Sequence, residues 1–247
     1  MNFIKIVKLD LINILKNPTL LISNTVLPLI LIGVLGFATS GLFGAGDVSS
    51  YDYYGVTMMI FTALMIAMTV SNTFMEDKVK RGNARIVFAP VSKMEIYLSK
   101  VAATFIMGTL SYSALLLIGQ YLFHMNFGGQ NIGYIMLLIS AFSLFGCCLG
   151  TMFCCIFKSE EGANAVLQVV VMLLVFFGGI FFPVANLGKF VETVSYLSPV
   201  KWMTESAFRI IYDHDFSLFL PVLALVLSGS FVCLLICQIL YKPEEYA

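Results

Sequence analysis

The feature that most constrains this chain is a stretch of 57 residues, 101–157, without a single Asp, Glu, Lys or Arg. Four further charge-free windows accompany it, at 17–46, 53–75, 162–188 and 216–241. A helix needs about 20 apolar residues to cross the roughly 30 Å hydrocarbon core of a bilayer, and every window is long enough. Only 11% of the residues are charged, 60% are hydrophobic and the mean hydropathy is +0.94. A soluble domain carries about 25% charged residues. Half of that leaves too little polar surface to cover a globule in water. A soluble enzyme, a disordered chain and a nucleic-acid binder are excluded. The balance of 14 basic against 14 acidic residues also leaves no net field for a polyanion.

The 57-residue window exceeds one helix. It contains His124-Met125-Asn126-Phe127-Gly128-Gly129-Gln130-Asn131, a polar break whose Gly and Asn favour turns. Six spans follow, at about 20–42, 54–75, 101–123, 132–157, 163–182 and 217–241. Lipid satisfies no open strand edge, and the period-2 alternation of a barrel is absent. The expectation is an all-α integral membrane protein, with residues 1–247 as one transmembrane domain.

Basic residues set the orientation. Eleven of the 14 fall before span one, between spans two and three, between spans four and five, or after span six. The positive-inside rule then places both termini in the cytoplasm. The N-terminus is no cleaved signal peptide, because its apolar run starts late and is too long. Residues 2–17 read as an amphipathic helix, with Phe3, Ile4, Val7, Leu11, Ile14 and Leu15 on one face. Asn2, Lys5, Lys8, Asp10, Asn13, Lys16 and Asn17 form the other, and Pro18 ends the helix. Such a helix lies in the headgroup interface; the simpler alternative is a membrane-entry segment.

Two connecting segments carry more information than loops usually do. Residues 76–100 hold 9 of the 28 charged residues. Arg81-Gly82 supplies a hinge, Ile86-Val87-Phe88 an apolar anchor and Pro90 a stop, and Ser92-x-x-Glu95 is a capping-box pattern that starts the next helix. The alternative is a cytoplasmic loop that only fixes topology. Residues 176–213 are aromatic and apolar but broken by Gly178-Gly179, Pro183 and Pro199. Irregular backbone at membrane depth survives only when buried in protein or lining a cavity. Over 183–213 this predicts short re-entrant or interfacial helices, against a plain extracellular amphipathic helix.

Polar residues within spans are costly in lipid and mark candidate sites: Thr62, Thr69 and Asn72 in span two, Asn164 and Gln168 in span five. Interhelical hydrogen bonding is the alternative. Met58, Met59, Met65 and Met68 offer an adaptable apolar wall or ordinary packing. Phe176, Phe177, Phe181 and Phe182, with Pro183, suggest an outer hydrophobic gate, or aromatic packing in the outer leaflet. Cys147, Cys148, Cys154, Cys155, Cys233 and Cys237 all fall within spans, where thiols behave as small hydrophobes. No metal site is expected, since no His or carboxylate lies near them.

In this order and spacing the chain resembles the membrane subunit of a type-2 ABC exporter, a prokaryotic permease family. Three features carry the resemblance: the amphipathic N-terminal helix, the run Glu76…Arg81-Gly82…Pro90-x-Ser92-x-x-Glu95…Leu98-x-Lys100, and Gly179-Ile-Phe-Phe-Pro183 followed by Leu197-x-Pro199 and Glu205…Arg209. The resemblance implies that Glu76, Asp77, Lys80, Arg81, Gly82, Arg85 and Pro90 couple the chain to a cytoplasmic ATPase. It implies a substrate path through Thr62, Met65, Thr69, Asn72, Asn164 and Gln168, because spans two and five face the dimer axis in that family. It also implies two ABC ATPase subunits, a second permease, identical or homologous, and a place among the lipids of a prokaryotic cell membrane. ATP and Mg belong to the partner, since no GxxxxGK[ST] loop occurs here; no cofactor is expected in this chain. The expected cargo is amphipathic or hydrophobic: a drug, peptide or lipid. The rivals are a secondary transporter or channel, which would want a mid-span charge or internal repeat, and an intramembrane hydrolase. Glu160-Glu161 invites the latter, but lacks a following Arg and reads more simply with Ser159 as a helix cap.

Overall fold

The structure, a computed structural model, describes residues 3–41, 48–75, 92–181 and 188–241. Every regular element among them is helical: α1 (Phe3–Lys16), α2 (Pro18–Ala38), α3 (Ser50–Met75), α4 (Lys93–Tyr121), α5 (Ile132–Phe157), α6 (Glu160–Gly178), α7 (Lys189–Ser195), α8 (Pro199–Phe208) and α9 (Phe219–Leu240). A 3-10 turn, Gly129–Asn131, precedes α5, and a π turn, Arg209–Asp213, extends α8. Six of these helices, α2 to α6 and α9, are long and apolar enough to span a bilayer. The chain is an all-α integral membrane protein.

Local chemistry sets the boundaries. Asn17 caps α2 by accepting from the Thr19 amide at 3.2 Å, with Pro18 at the first helical position. Ser92 and Glu95 form the capping box in both directions, the Ser92 amide donating to Glu95 Oε2 at 2.9 Å. The third span therefore begins at Lys93, so the charged connection expected to reach residue 100 stops short of it. Ser159 caps α6 by accepting from the Gly162 amide at 3.3 Å. At the other end of α6, Gly179 turns left-handed at φ 73°. The first span ends at Ala38, not near 42, and the fifth at Gly178, not 182, because a charge-free window also counts apolar residues beyond the helix.

The helices surround α3. Buried positions make up 89% of its central stretch, against 22% for α9 and 28% for α2 and for α6. Apolarity runs the other way, α9 being the most apolar span and α3 the least. A bilayer selects this order, since lipid-facing positions must be apolar while enclosed ones tolerate polar groups. The second least apolar span is α6, yet it is mostly uncovered.

The closest crossing is between α3 and α5. A Cβ on Gly146 would lie 2.9 Å from the Ala63 carbonyl oxygen, and one on Gly150 2.9 Å from both Cα and the carbonyl carbon of Ala67. Gly146-x-x-x-Gly150 faces Ala63-x-x-x-Ala67, small residues that let the backbones touch.

The N-terminal helix sits differently from expectation. Asp10, assigned above to the polar face, is buried together with Ile6 and Ile14, while Ile4 and Leu15 are exposed. The helix is rotated because Asp10 meets Lys100 of α4 at 3.2 Å.

Candidate functional site

The polar residues of α3 divide between two environments. Thr69 and Thr62 turn toward α2 and α4. Asn24 of α2 donates from Nδ2 to Thr69 Oγ1 at 2.9 Å and to the Leu20 carbonyl at 2.8 Å. The Tyr112 hydroxyl of α4 points into a fork between Asn24 Oδ1 (2.8 Å) and the Thr62 carbonyl (2.9 Å). The Thr62 hydroxyl donates to the carbonyl of Met58 in its own helix at 2.9 Å. All four residues are buried, so this network ties the first three spans together inside one chain. Asn24 and Tyr112 were not singled out from sequence. An amide within an otherwise apolar span was the signal that would have found Asn24.

A neighbouring edge of α3 is half open. Met65, Met68 and Asn72 lie along it, three to four residues apart. Asn164 of α6 donates from Nδ2 to Asn72 Oδ1 at 3.3 Å, and Gln168 lies exposed one turn further along α6. The buried Asn164 Oδ1 has no hydrogen-bond partner among the described residues. From Gln168 the same side of α6 continues through exposed Val169, Met172 and Phe176. Met65, Asn72, Asn164 and Gln168 thus line the half-open edge, while Thr62 and Thr69 are buried beside it, with their hydroxyls bonded to Met58 and Asn24.

At the far end of this face Phe176 and Phe177 contact edge to face, with ring centroids 5.6 Å apart. Phe181 approaches Phe61 of α3 at 6.2 Å. The Tyr53 and Tyr54 hydroxyls fix the turn after α6 by donating to the carbonyls of Gly179 (2.7 Å) and Phe181 (3.0 Å). Phe182 and Pro183 lie outside the described residues, as do Glu76, Asp77, Lys80, Arg81, Gly82, Arg85 and Pro90.

Beyond α6 the chain folds back on itself. Ser198, the cap of α8, donates to the carbonyl of Leu174, one turn before the end of α6. Val200 packs where a Cβ on Gly178 would sit, 2.6 Å from the Val200 Cβ. The α7–α8 hairpin therefore packs alongside the last turn of α6. Trp202 Nε1 donates to the Tyr196 carbonyl at 2.9 Å. Arg209 closes the hairpin with Glu205 at 2.7 Å and Asp215 at 3.3 Å. The Glu205 hydrogen bond holds the guanidinium above its usual pKa. The backbone and hydroxyl of Ser217, and then Arg209, hold the Asp215 carboxyl below its own. The six cysteines are buried, and none forms a disulfide among the described residues.

Six candidate spans around a buried central helix, with a half-open polar face and a hairpin packed against α6, define a multi-pass membrane protein. The sequence model of the ABC-2 type transporter family matches residues 1–212. The linearmycin resistance permease protein LnrN of Bacillus subtilis (strain 168) is 26% identical over 152 residues, which is 62% of this chain and 39% of that protein. The match thus spans well under half of that relative's length. The chain belongs to the ABC-2 type transporter family and is a multi-pass protein of the cell membrane. This family works together with ABC ATPase subunits.

Proposed function

We propose that this chain is one half of an ATP-driven exporter for amphipathic or hydrophobic molecules such as drugs, peptides or lipids. The observation that carries the reading is the face shared by α3 and α6. It belongs to the two least apolar spans and is left half uncovered, and it holds a buried amide oxygen, Asn164 Oδ1, without a hydrogen-bond partner among the described residues. Such an oxygen is costly in hydrocarbon, and a second permease, identical or homologous, meeting this face would enclose it. Cargo passes between the two copies along Met65, Asn72, Asn164 and Gln168, while Thr62 and Thr69 shape the wall from behind. Phe176, Phe177, Phe181, Phe182 and Pro183 close the outer end against water and ions. The name of the resistance permease from Bacillus subtilis agrees with efflux as the direction.

Both termini lie in the cytoplasm, and two ABC ATPase subunits bind ATP and Mg there. Glu76, Asp77, Lys80, Arg81, Gly82, Arg85 and Pro90 form the segment that receives their movement. Mixed charge in one short connection suits a complementary partner surface, and Gly82 permits a tight turn. The test is co-purification with the cognate ATPase, followed by ATP hydrolysis in proteoliposomes. Arg81→Glu combined with Gly82→Pro is expected to abolish permease-dependent hydrolysis at unchanged expression. A chain that elutes alone, or a double variant with full stimulation, refutes the proposal.

A further inference from the structure

Two fully buried opposite charges sit at the foot of the bundle. Lys100, two turns into α4, lies 3.2 Å from Asp10 of α1, with side-chain exposures of 2% and 1%. The Ser99 hydroxyl donates to the other carboxylate oxygen of Asp10 at 2.9 Å. The Lys100 ammonium also stands 5.6 Å from the ring centroid of Phe74, the penultimate residue of α3. Phe74 in turn meets Tyr241, just past α9, and Tyr241 meets Tyr97 of α4 at 5.5 Å. Four helices converge here. The segment 76–91 follows Met75, two residues after Phe74, and ends nine residues before Lys100.

Stability alone is a poor reason for such a pair. Desolvating two ions offsets their attraction, and apolar replacements of similar volume are often as stable or more so. A buried pair does fix a register. The contacts of α1 around it, Ile14 against Leu20, Ala103 and Met107, are apolar and non-directional. Such a surface by itself sets no unique register for the helix. Ser99 and Lys100 together hold both oxygens of one carboxylate, which removes that freedom.

We propose that Asp10 and Lys100 are positioning residues for energy coupling. They lock α1 and the foot of the third span into one rigid body at the root of 76–91, so that displacement of that segment enters the bundle instead of being lost as sliding of α1. The proposal rests on the reading of that segment as the ATPase contact.

The test uses the full chain, alone and with its ATPase in nanodiscs. The apolar pair Asp10→Leu with Lys100→Met avoids an unpaired buried charge. It is expected to match the wild type in thermal stability and in ATPase binding. Hydrogen exchange over residues 3–16 should rise about tenfold, and the permease-dependent kcat for ATP should fall about tenfold at unchanged KM. The reversed pair, Asp10→Lys with Lys100→Asp, should recover most of both. Unchanged exchange in the apolar variant overturns the lock. Raised exchange with wild-type kcat overturns its role in coupling. A wild-type chain that binds no ATPase overturns the premise instead, and the exchange measurement on the chain alone distinguishes that failure from the other two.

Discussion

Replacing Gly150 with Ala probes the crossing on which the bundle is built. The added methyl would stand 2.9 Å from the Cα and carbonyl carbon of Ala67 and closer still to its carbonyl oxygen. These are main-chain atoms of the most buried helix, with no rotamer to yield. Carbon atoms rest at roughly 3.5–4.0 Å, so α3 and α5 must separate by about 1 Å. A gap of that size forfeits roughly a quarter to a half of each contact across the seam. Overpacking of this kind costs about 1–3 kcal/mol, and the upper end applies where only backbone can move. About 3 kcal/mol corresponds to a fall of roughly 6–12 °C in melting temperature for a chain of this size. The assay is thermal unfolding in detergent, monitored by reactivity of the buried cysteines. Gly133→Ala is the control, on the same helix but with open space around its Cβ. It should melt with the wild type or slightly above it, because Ala gains helix propensity over Gly. If the two variants melt together, the close approach of α3 and α5 is refuted.

The polar network and the far-end ion cluster yield two further expectations. Asn24→Ala removes the donor to Thr69 and one acceptor of Tyr112. Interhelical hydrogen bonds in membranes are worth about 0.6 and at most about 1.7 kcal/mol each, so the melting temperature should drop by about 2–6 °C. Tyr112→Phe should cost less than half of that, and the reverse order would contradict the network. For Asp215, a carboxyl held below its ordinary value of 3.8 stabilises the folded hairpin at any pH above that value. The contribution is lost only as pH falls through the lowered folded value, and the raised Arg209 stays charged throughout. Fluorescence of Trp202, the single tryptophan, should therefore be flat from about pH 5 to 9 and shift only in strong acid. Asp215→Asn should lose that acid step, and a step near neutrality would contradict the assignment.

Much of the architecture could be read along the chain, because its causes are local. The bilayer imposes a length on each apolar run, and caps such as Asn17, Ser92 with Glu95, and Ser159 act within three residues of themselves. The turn at 124–131 and the break at Gly178-Gly179 that ends α6 followed from Gly and Asn alone. The pair Gly146-x-x-x-Gly150 was equally visible, and its partner Ala63-x-x-x-Ala67 is what gives it meaning. The candidate path was legible only in part. Residue type marked Thr69 and Asn72 alike as polar atoms in lipid, but not which one faces α2 and which faces the open edge.

Sequence by itself determined that this protein lives in a membrane, that it has six helices able to cross it, and which caps start several of them. Each depends on the solvent and on neighbours a few residues away. Only the tertiary structure decided that the second span is the central post, that Asn24 and Tyr112 satisfy its inner face, and that Asp10 turns inward to a lysine 90 residues later. Hydropathy measures what a helix is made of, whereas burial depends on what stands beside it. A charge on an apparently polar face becomes buried only because its counter-ion arrives from another helix.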